Sequence, residues 1–357
     1  MIELIPKVIG YNFFKRLGYP KMLPIFLTLS MNDWCNSRCK TCNIWKNDPK
    51  EKINEQLSVS EYERIFRNYG RTYWITITGG EPFLREDLAE TIRVLDKKTR
   101  PEIISIATNA TVPGKIFSAT KEILHECKKM RLIVNVSLDG IGRQHDEIRG
   151  MSGSFEKAKE TVLKLKKIND ERLTVGTNTV ISRFNAGCSQ KIFKYIAENL
   201  RPDSIIAELA ENRAKLYNDS LNIAPKESEY KKSLLFLLDF LERERRKRKV
   251  SDIVRILRIE FYKHLINNYP LENFEGIASA YIMHNGEVWT SYSKPYIIGN
   301  LREVNYNLSK LWFSDKAREF RKTMDSKAYK TSLANAFYTN AICNPKKLLN
   351  LWFRSIL

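Results

Sequence analysis

The residues best suited to chemistry are three cysteines crowded into eight positions, Cys35-Asn36-Ser37-Arg38-Cys39-Lys40-Thr41-Cys42. The other three of the chain's six cysteines, Cys127, Cys188 and Cys343, are scattered. Three dispersed disulfides would be unusual in a cytosolic chain of 357 residues, whereas a Cys-x3-Cys-x2-Cys loop puts three thiolates within reach of one metal centre. The number three narrows the choice. A structural zinc site or a fully ligated iron–sulfur cluster takes four protein ligands, so three in one loop point to a cluster with one open iron, where a substrate or cofactor can bind. Half a zinc site completed by a distant Cys or His competes with that reading. Cys127 falls in an expected helix and Cys188 at a helix start, so both read as packing residues, a hydrogen-atom donor being the sharper alternative.

The elements that must position this loop follow from the pattern around it. Residues 26–30 (Phe-Leu-Thr-Leu-Ser) read as a strand running straight into the cysteines. Beyond it, expected strands at 73–78, 103–107, 132–138, 174–181 and 204–208 alternate with expected helices at 87–96, 116–130, 154–168 and 189–199. Such alternation is the mark of parallel βα units, and six strands suit an α/β fold, a partial (β/α)6 TIM-like barrel, better than an open sheet. Chemistry in such a barrel sits at the carboxyl ends of the strands. The cysteine loop, Gly79-Gly80, Thr108-Asn109 and Asp139-Gly140 each follow directly on a strand, so one active site collects them all.

Composition bounds the rest. With 43% hydrophobic and 11% aromatic residues the chain is globular, and 60 Lys and Arg against 41 Asp and Glu leave a net charge of +19. That charge attracts polyanions: nucleic acid, an acidic membrane face or an anionic substrate. No apolar run approaches the roughly 18 to 20 residues that span a bilayer, and the first seven residues lack the charged-then-apolar order of a signal peptide, so a cytoplasmic location is expected. Residues 1–24 form an amphipathic segment and 25–225 the barrel. Residues 226–268 read as a helical connector with a basic run at 242–249, 269–345 as a small α+β domain opening with a hairpin about His284-Asn285-Gly286, and 346–357 as an apolar, cationic tail.

At this point the residues resemble the radical S-adenosylmethionine (SAM) superfamily, in particular members with a C-terminal SPASM or twitch extension. The Cys-x3-Cys-x2-Cys loop matches the family's cluster motif, although Thr41 stands where an aromatic is usual. The resemblance implies that Cys35, Cys39 and Cys42 hold a single [4Fe–4S] cluster, that SAM chelates the fourth iron, and that its reductive cleavage gives a 5′-deoxyadenosyl radical that takes hydrogen from an unactivated carbon. Thr78-Gly79-Gly80-Glu81-Pro82 is similar to the motif that binds the SAM amino group, glycines letting backbone carbonyls approach and Glu81 adding charge complementarity. By the same resemblance Thr108, Asn109, Ser137 and Asp139 line the SAM pocket. Arg149 of His145-Asp146-x-x-Arg149-Gly150 pairs with an anionic group, Asn178 touches ribose, and Asn43 and Ile44 contact adenine.

The pattern breaks in the C-terminal part. Gly286-Glu287-Val288-Trp289-Thr290-Ser291 keeps the SPASM-type hairpin but ends in Ser, and Ala278, Thr331, Ala334 and Ala336 stand where auxiliary-cluster cysteines are expected; whether by lineage or by engineering, one cluster is expected. The extension favours a peptide or protein substrate, with a reducing flavodoxin- or ferredoxin-type electron donor as partner. Both chain ends are apolar and cationic, so a membrane lipid, with the enzyme peripheral on the inner, anionic membrane face, is the alternative. Nucleic acid ranks third because the charge is spread along the chain, and a non-catalytic metal-binding scaffold is the reading from another class. Asp139, Glu208 and Glu211 stand near strand ends, yet nothing singles out one of them as acid or base.

Overall fold

The computed structural model describes residues 2–246, 253–291, 295–324 and 331–356. The first helix, α1 (Ile5–Leu17), buries Val8, Tyr11 and Phe14 and ends at Gly18, whose left-handed backbone returns its N–H to the Phe14 carbonyl. Six βα repeats follow. Strands β1 (Phe26–Ser30), β2 (Trp74–Thr78), β3 (Ile103–Thr108), β4 (Arg131–Ser137), β5 (Leu173–Ile181) and β6 (Ser204–Leu209) lie parallel and in chain order across the sheet. Between them run α2 (Pro49–Glu55), α3 (Val59–Phe66), α4 (Leu88–Thr99), α5 (Pro113–Glu126), α6 (Arg143–Arg149), α7 (Ser154–Lys166) and α8 (Ser189–Tyr195).

The two faces of the strands have different compositions. Leu27, Leu29, Ile75, Ile77, Ile104 and Ile106 belong to the main core, while their alternate neighbours Thr28, Thr76, Ser105 and Asn135 line an internal cavity. A closed barrel of this type fills its interior with layers of branched aliphatic side chains. Here short polar residues leave that space open. Gly176 belongs to the same inner face: a Cβ there would stand 2.2 Å from the Asn135 amide oxygen.

The C-terminal third closes the open side. Helices α9 (Glu227–Arg246) and α10 (Ile253–Asn267) pack on each other where one connector helix is expected, with Leu234, Leu237 and Leu241 buried. Part of the basic run, residues 247–249, lies outside the described residues. Strand β7 (Ser279–Ile282) then pairs parallel with β1, Phe26 opposite Ser279, and β8 (Glu287–Trp289) and β9 (Ile297–Asn300) continue the same nine-stranded sheet as antiparallel strands. Helices α11 (Leu308–Trp312), α12 (Asp315–Thr323), α13 (Ala334–Cys343) and α14 (Pro345–Ile356) complete the chain. In this part of the chain Tyr281, Met283, Trp289, Leu333 and Ala336 pack together, and Tyr281 and Ser291 both donate to buried Glu275.

Candidate functional site

The cysteine loop is fastened from several sides. The Lys40 N–H donates to the Ile148 carbonyl at the end of α6, and the Asn43 N–H donates to the Leu216 carbonyl beyond β6. Gly150, in the left-handed region at φ +62°, lies so close that a Cβ would stand 2.2 Å from the Arg38 carbonyl. At Gly80 a Cβ would fall 1.8 Å from the Trp34 carbonyl, and the Gly80 N–H donates to the Asn32 side chain at 2.9 Å. Openness that the sequence assigns to an incoming ligand at Gly80 is thus also demanded by the chain itself, which runs against the end of β2.

The three thiols border one cavity of about 220 Å³, and Ile44, Gly79, Gly80, Thr108, Asn109, Ser137, Arg149 and Asn178 border it with them. Burial is the largest influence on each of Cys35, Cys39 and Cys42 and pushes each up to about 11. Donors already face sulfur: the Ser37 N–H and the Asn109 amide both reach Cys35 Sγ at 3.4 Å. Arg149 is held by Asp139, Nη1 to Oδ2 at 3.0 Å, while its buried Nε has no partner.

Three expected contact residues do not border this cavity. Glu81 is fully buried, and its carboxylate accepts from the Phe83 N–H at 3.0 Å, the Thr108 hydroxyl at 2.9 Å and the Asn109 N–H at 2.5 Å. These three bonds tie the end of β2 to β3. Asp139 accepts from Arg149 and from the Val180 N–H, so it positions the guanidinium. Asn43 donates from its amide to the Tyr217 carbonyl at 2.7 Å and anchors the loop. Behind Asp139, the Nδ1 of His145 accepts from the Asp139 N–H at 3.1 Å, and burial pulls this imidazole down to about 4. Cys127, Cys188 and Cys343 do not border the cavity.

Sequence reasoning missed a second anchor. Asp33, completely buried, pairs with the equally buried Lys215 and accepts from the Tyr217 hydroxyl at 2.5 Å and the Asn47 amide at 2.9 Å. Burial lowers the Lys215 pKa, and Asp33 opposes it. This network locks the 214–217 turn beneath the cysteine loop. Its partners are 182 residues apart and no local pattern marks them. Arg213, Glu208 and Glu211 also border the cavity.

The donor set suits an iron–sulfur cluster: three thiols from one loop, donors aimed at sulfur, and an arginine with an unused Nε beside them. Among the described residues no three His, Cys, Asp or Glu side chains converge tightly enough for a single ion.

Comparison with known proteins agrees with this geometry. The model of the radical SAM superfamily matches residues 29–196. Fe-coproporphyrin III synthase of Methanosarcina barkeri is 26% identical over 310 residues, 79% of this chain and 72% of that protein. A GTP 3′,8-cyclase of Staphylococcus carnosus is 37% identical over 127 residues, only 33% of this chain and 35% of the cyclase. Among solved structures, Streptococcus suis SuiB bound to S-adenosylmethionine has a TM-score of 0.61 at 17% identity, covering 88% of this chain and 71% of SuiB. SuiB bound to its precursor peptide SuiA matches at 0.61 and 15% identity over 94% of this chain and 74% of that one.

Proposed function

Residues 29–196 form a radical SAM domain, and from that premise we propose that the chain cleaves SAM reductively and takes hydrogen from an unactivated carbon of a peptide or protein. The observation that carries the reading is the shared cavity: Cys35, Cys39, Cys42, Gly79, Gly80 and Arg149 border one space at the carboxyl ends of the strands. A [4Fe–4S] cluster with SAM on its open iron supplies a 5′-deoxyadenosyl radical when bound. The three cysteines hold the cluster. Arg149, fixed by Asp139, presents its free Nε to the SAM carboxylate. Thr108, Asn109, Ser137 and Asn178 frame the nucleoside, and Glu81 holds the end of β3, with Thr108 and Asn109, in place. A peptide substrate is supported by the likeness to SuiB, which was crystallised with a precursor peptide.

The test is anaerobic reconstitution with iron and sulfide, then iron counting and a dithionite assay for 5′-deoxyadenosine. About four irons per chain, SAM cleavage, and loss of both in Cys39→Ala are expected. Zinc without cleavage overturns the radical reading, and about eight irons overturn the single cluster. A second reading, a lipid substrate met at a membrane surface, is favoured by one observation: an exposed apolar line on α1 (Ile5, Ile9, Phe13, Leu17) beside exposed Leu349 and Phe353 of α14.

A further inference from the structure

The cradle cavity continues inward. Thr78, Ala107, Asn178, Glu208, Arg213 and Leu216 border both it and a second cavity of about 210 Å³ inside the barrel. The strands wall this chamber with short polar side chains and with Trp74, Ile133 and Ile206, and α10 and α13 wall it from the other side with Arg258 and Tyr338. Arg258 is 4% exposed, its guanidinium lies against the Tyr338 hydroxyl, its Nε has no partner, and among the described residues no carboxylate comes within ion-pair distance of it. Arg213 differs, being tied to Glu211 at 2.7 Å.

A guanidinium cannot shed its proton, so Arg258 stays charged in the wall of this chamber. Isolated buried charges are among the most destabilising features a fold can contain unless a counter-charge arrives. The chamber also holds acceptors without donors, the amide oxygens of Asn135 and Asn178. Glu208 stands at the junction of the two cavities, where its carboxylate accepts only long bonds from the Ala334 N–H at 3.3 Å and the Asn178 amide at 3.4 Å. Its carboxylate borders the chamber as well, on the side of Asn178 and Ala334.

We propose that the inner chamber is a substrate subsite in which Arg258 holds a carboxylate, while Asn135 and Asn178 accept from N–H or O–H groups nearer the cradle. One guanidinium without a carboxylate partner matches the single charge of a carboxylate better than the double charge of phosphate. That the occupant is the substrate rests on the radical SAM reading; that an acid binds here does not. The carboxylate can belong to a small free acid or to a peptide terminus, and both present the same chemistry.

Binding is tested on the full chain without dithionite, by thermal shift and by NMR saturation transfer. The probes are N-acetyl-leucine, its amide, inorganic phosphate, and a leucine tripeptide with a free or an amidated C-terminus. N-acetyl-leucine should raise Tm where its amide does not, and Arg258→Gln should weaken the response at least about tenfold. If that variant does not fold, Arg258→Lys retains charge without the planar fork and should bind several-fold more weakly. A response to the free-acid tripeptide as well assigns the carboxylate to a chain terminus; a response to N-acetyl-leucine alone assigns it to a small acid. Equal binding of acid and amide, an unchanged response in the variant, or a response to phosphate alone overturns the proposal. A chain that binds the acid but never yields 5′-deoxyadenosine keeps this subsite and loses the radical reading.

Discussion

Glu81 shows how a residue of recognisable type can serve a purpose its motif does not announce. Burial is the largest influence on it and pushes its pKa up to about 7, while the N–H groups of Asn109 and Phe83 and the Thr108 hydroxyl pull the other way. The folded chain therefore keeps a proton on Glu81 at pH values where the unfolded chain, near an ordinary pKa of about 4.3, has released it. That contribution to stability is full below the unfolded value and is lost as pH rises through about 7. His145 works in the opposite sense: burial depresses it to about 4, so its contribution is full above about 6.5 and is lost as pH falls toward 4. Comparing wild type with Glu81→Gln cancels the histidine. The stability advantage of wild type should shrink by roughly 3 kcal/mol between pH 4 and pH 8, measured by denaturant unfolding. A difference that stays flat with pH would mean that the three donors keep Glu81 ionised throughout. At this scale the sequence made the thiols legible, because three ligands in one loop are a local fact. It did not reveal the inward use of Glu81 or the Asp33–Lys215 pair, since hydrogen-bond partners come from other strands and turns.

Among the elements, the helix after β4 depends on a side chain outside it. Asp146 of α6 accepts from the Gly153 N–H at 2.7 Å, the Phe155 N–H at 2.8 Å and the Ser154 hydroxyl at 2.9 Å, capping the start of α7. The residue preceding α7 is Gly153, which has no side chain with which to do this. Asp146→Ala should lower the unfolding free energy by about 1 to 2 kcal/mol in denaturant melts. Iron loading should persist, because Gly150 and the Ile148 carbonyl still meet the cysteine loop. Loss of the cluster in a variant that remains folded would show that α6 itself moves with the cap. Strands were legible to within a residue or so because runs such as Ile103–Thr108 are short, β-rich and bounded by polar turns. Helices α2 and α3 went unread although Ser58 and Glu61 form a capping box, the surrounding charges hiding the short apolar face of Tyr62, Ile65 and Phe66. That the connector holds two packed helices, α9 and α10, was hidden because no Gly or Pro falls between Lys226 and Tyr269.

For the whole molecule, the open question is what the two chain ends touch. Helix α1 buries one face and leaves Ile9, Phe13 and Leu17 at 48%, 51% and 72% exposure, four residues apart and therefore in line along one side. Helix α14, beside it, adds Leu349 and Phe353 at 52% and 56%. Neither helix contains an acidic residue, while Lys7, Arg16, Lys346 and Lys347 belong to them, Lys15 being paired with Glu272 at 2.9 Å. Among the described residues no helix is long and apolar enough to cross a membrane, so such a surface would lie on a bilayer rather than within it. Anionic headgroups complement the charge, and each inserted aromatic adds roughly 2 kcal/mol. The chain should float with vesicles of phosphatidylglycerol and phosphatidylcholine, less with phosphatidylcholine alone, and less again as salt is raised. Phe13→Glu with Leu349→Glu changes only exposed positions, so the fold should survive while vesicle binding falls at least about tenfold. If wild type fails to float, or the double variant floats as well as wild type, the lipid reading loses the observation that favours it. If the double variant instead converts a dimer to a monomer on size-exclusion chromatography, this face joins two copies of the chain, and a peptide remains the substrate to pursue.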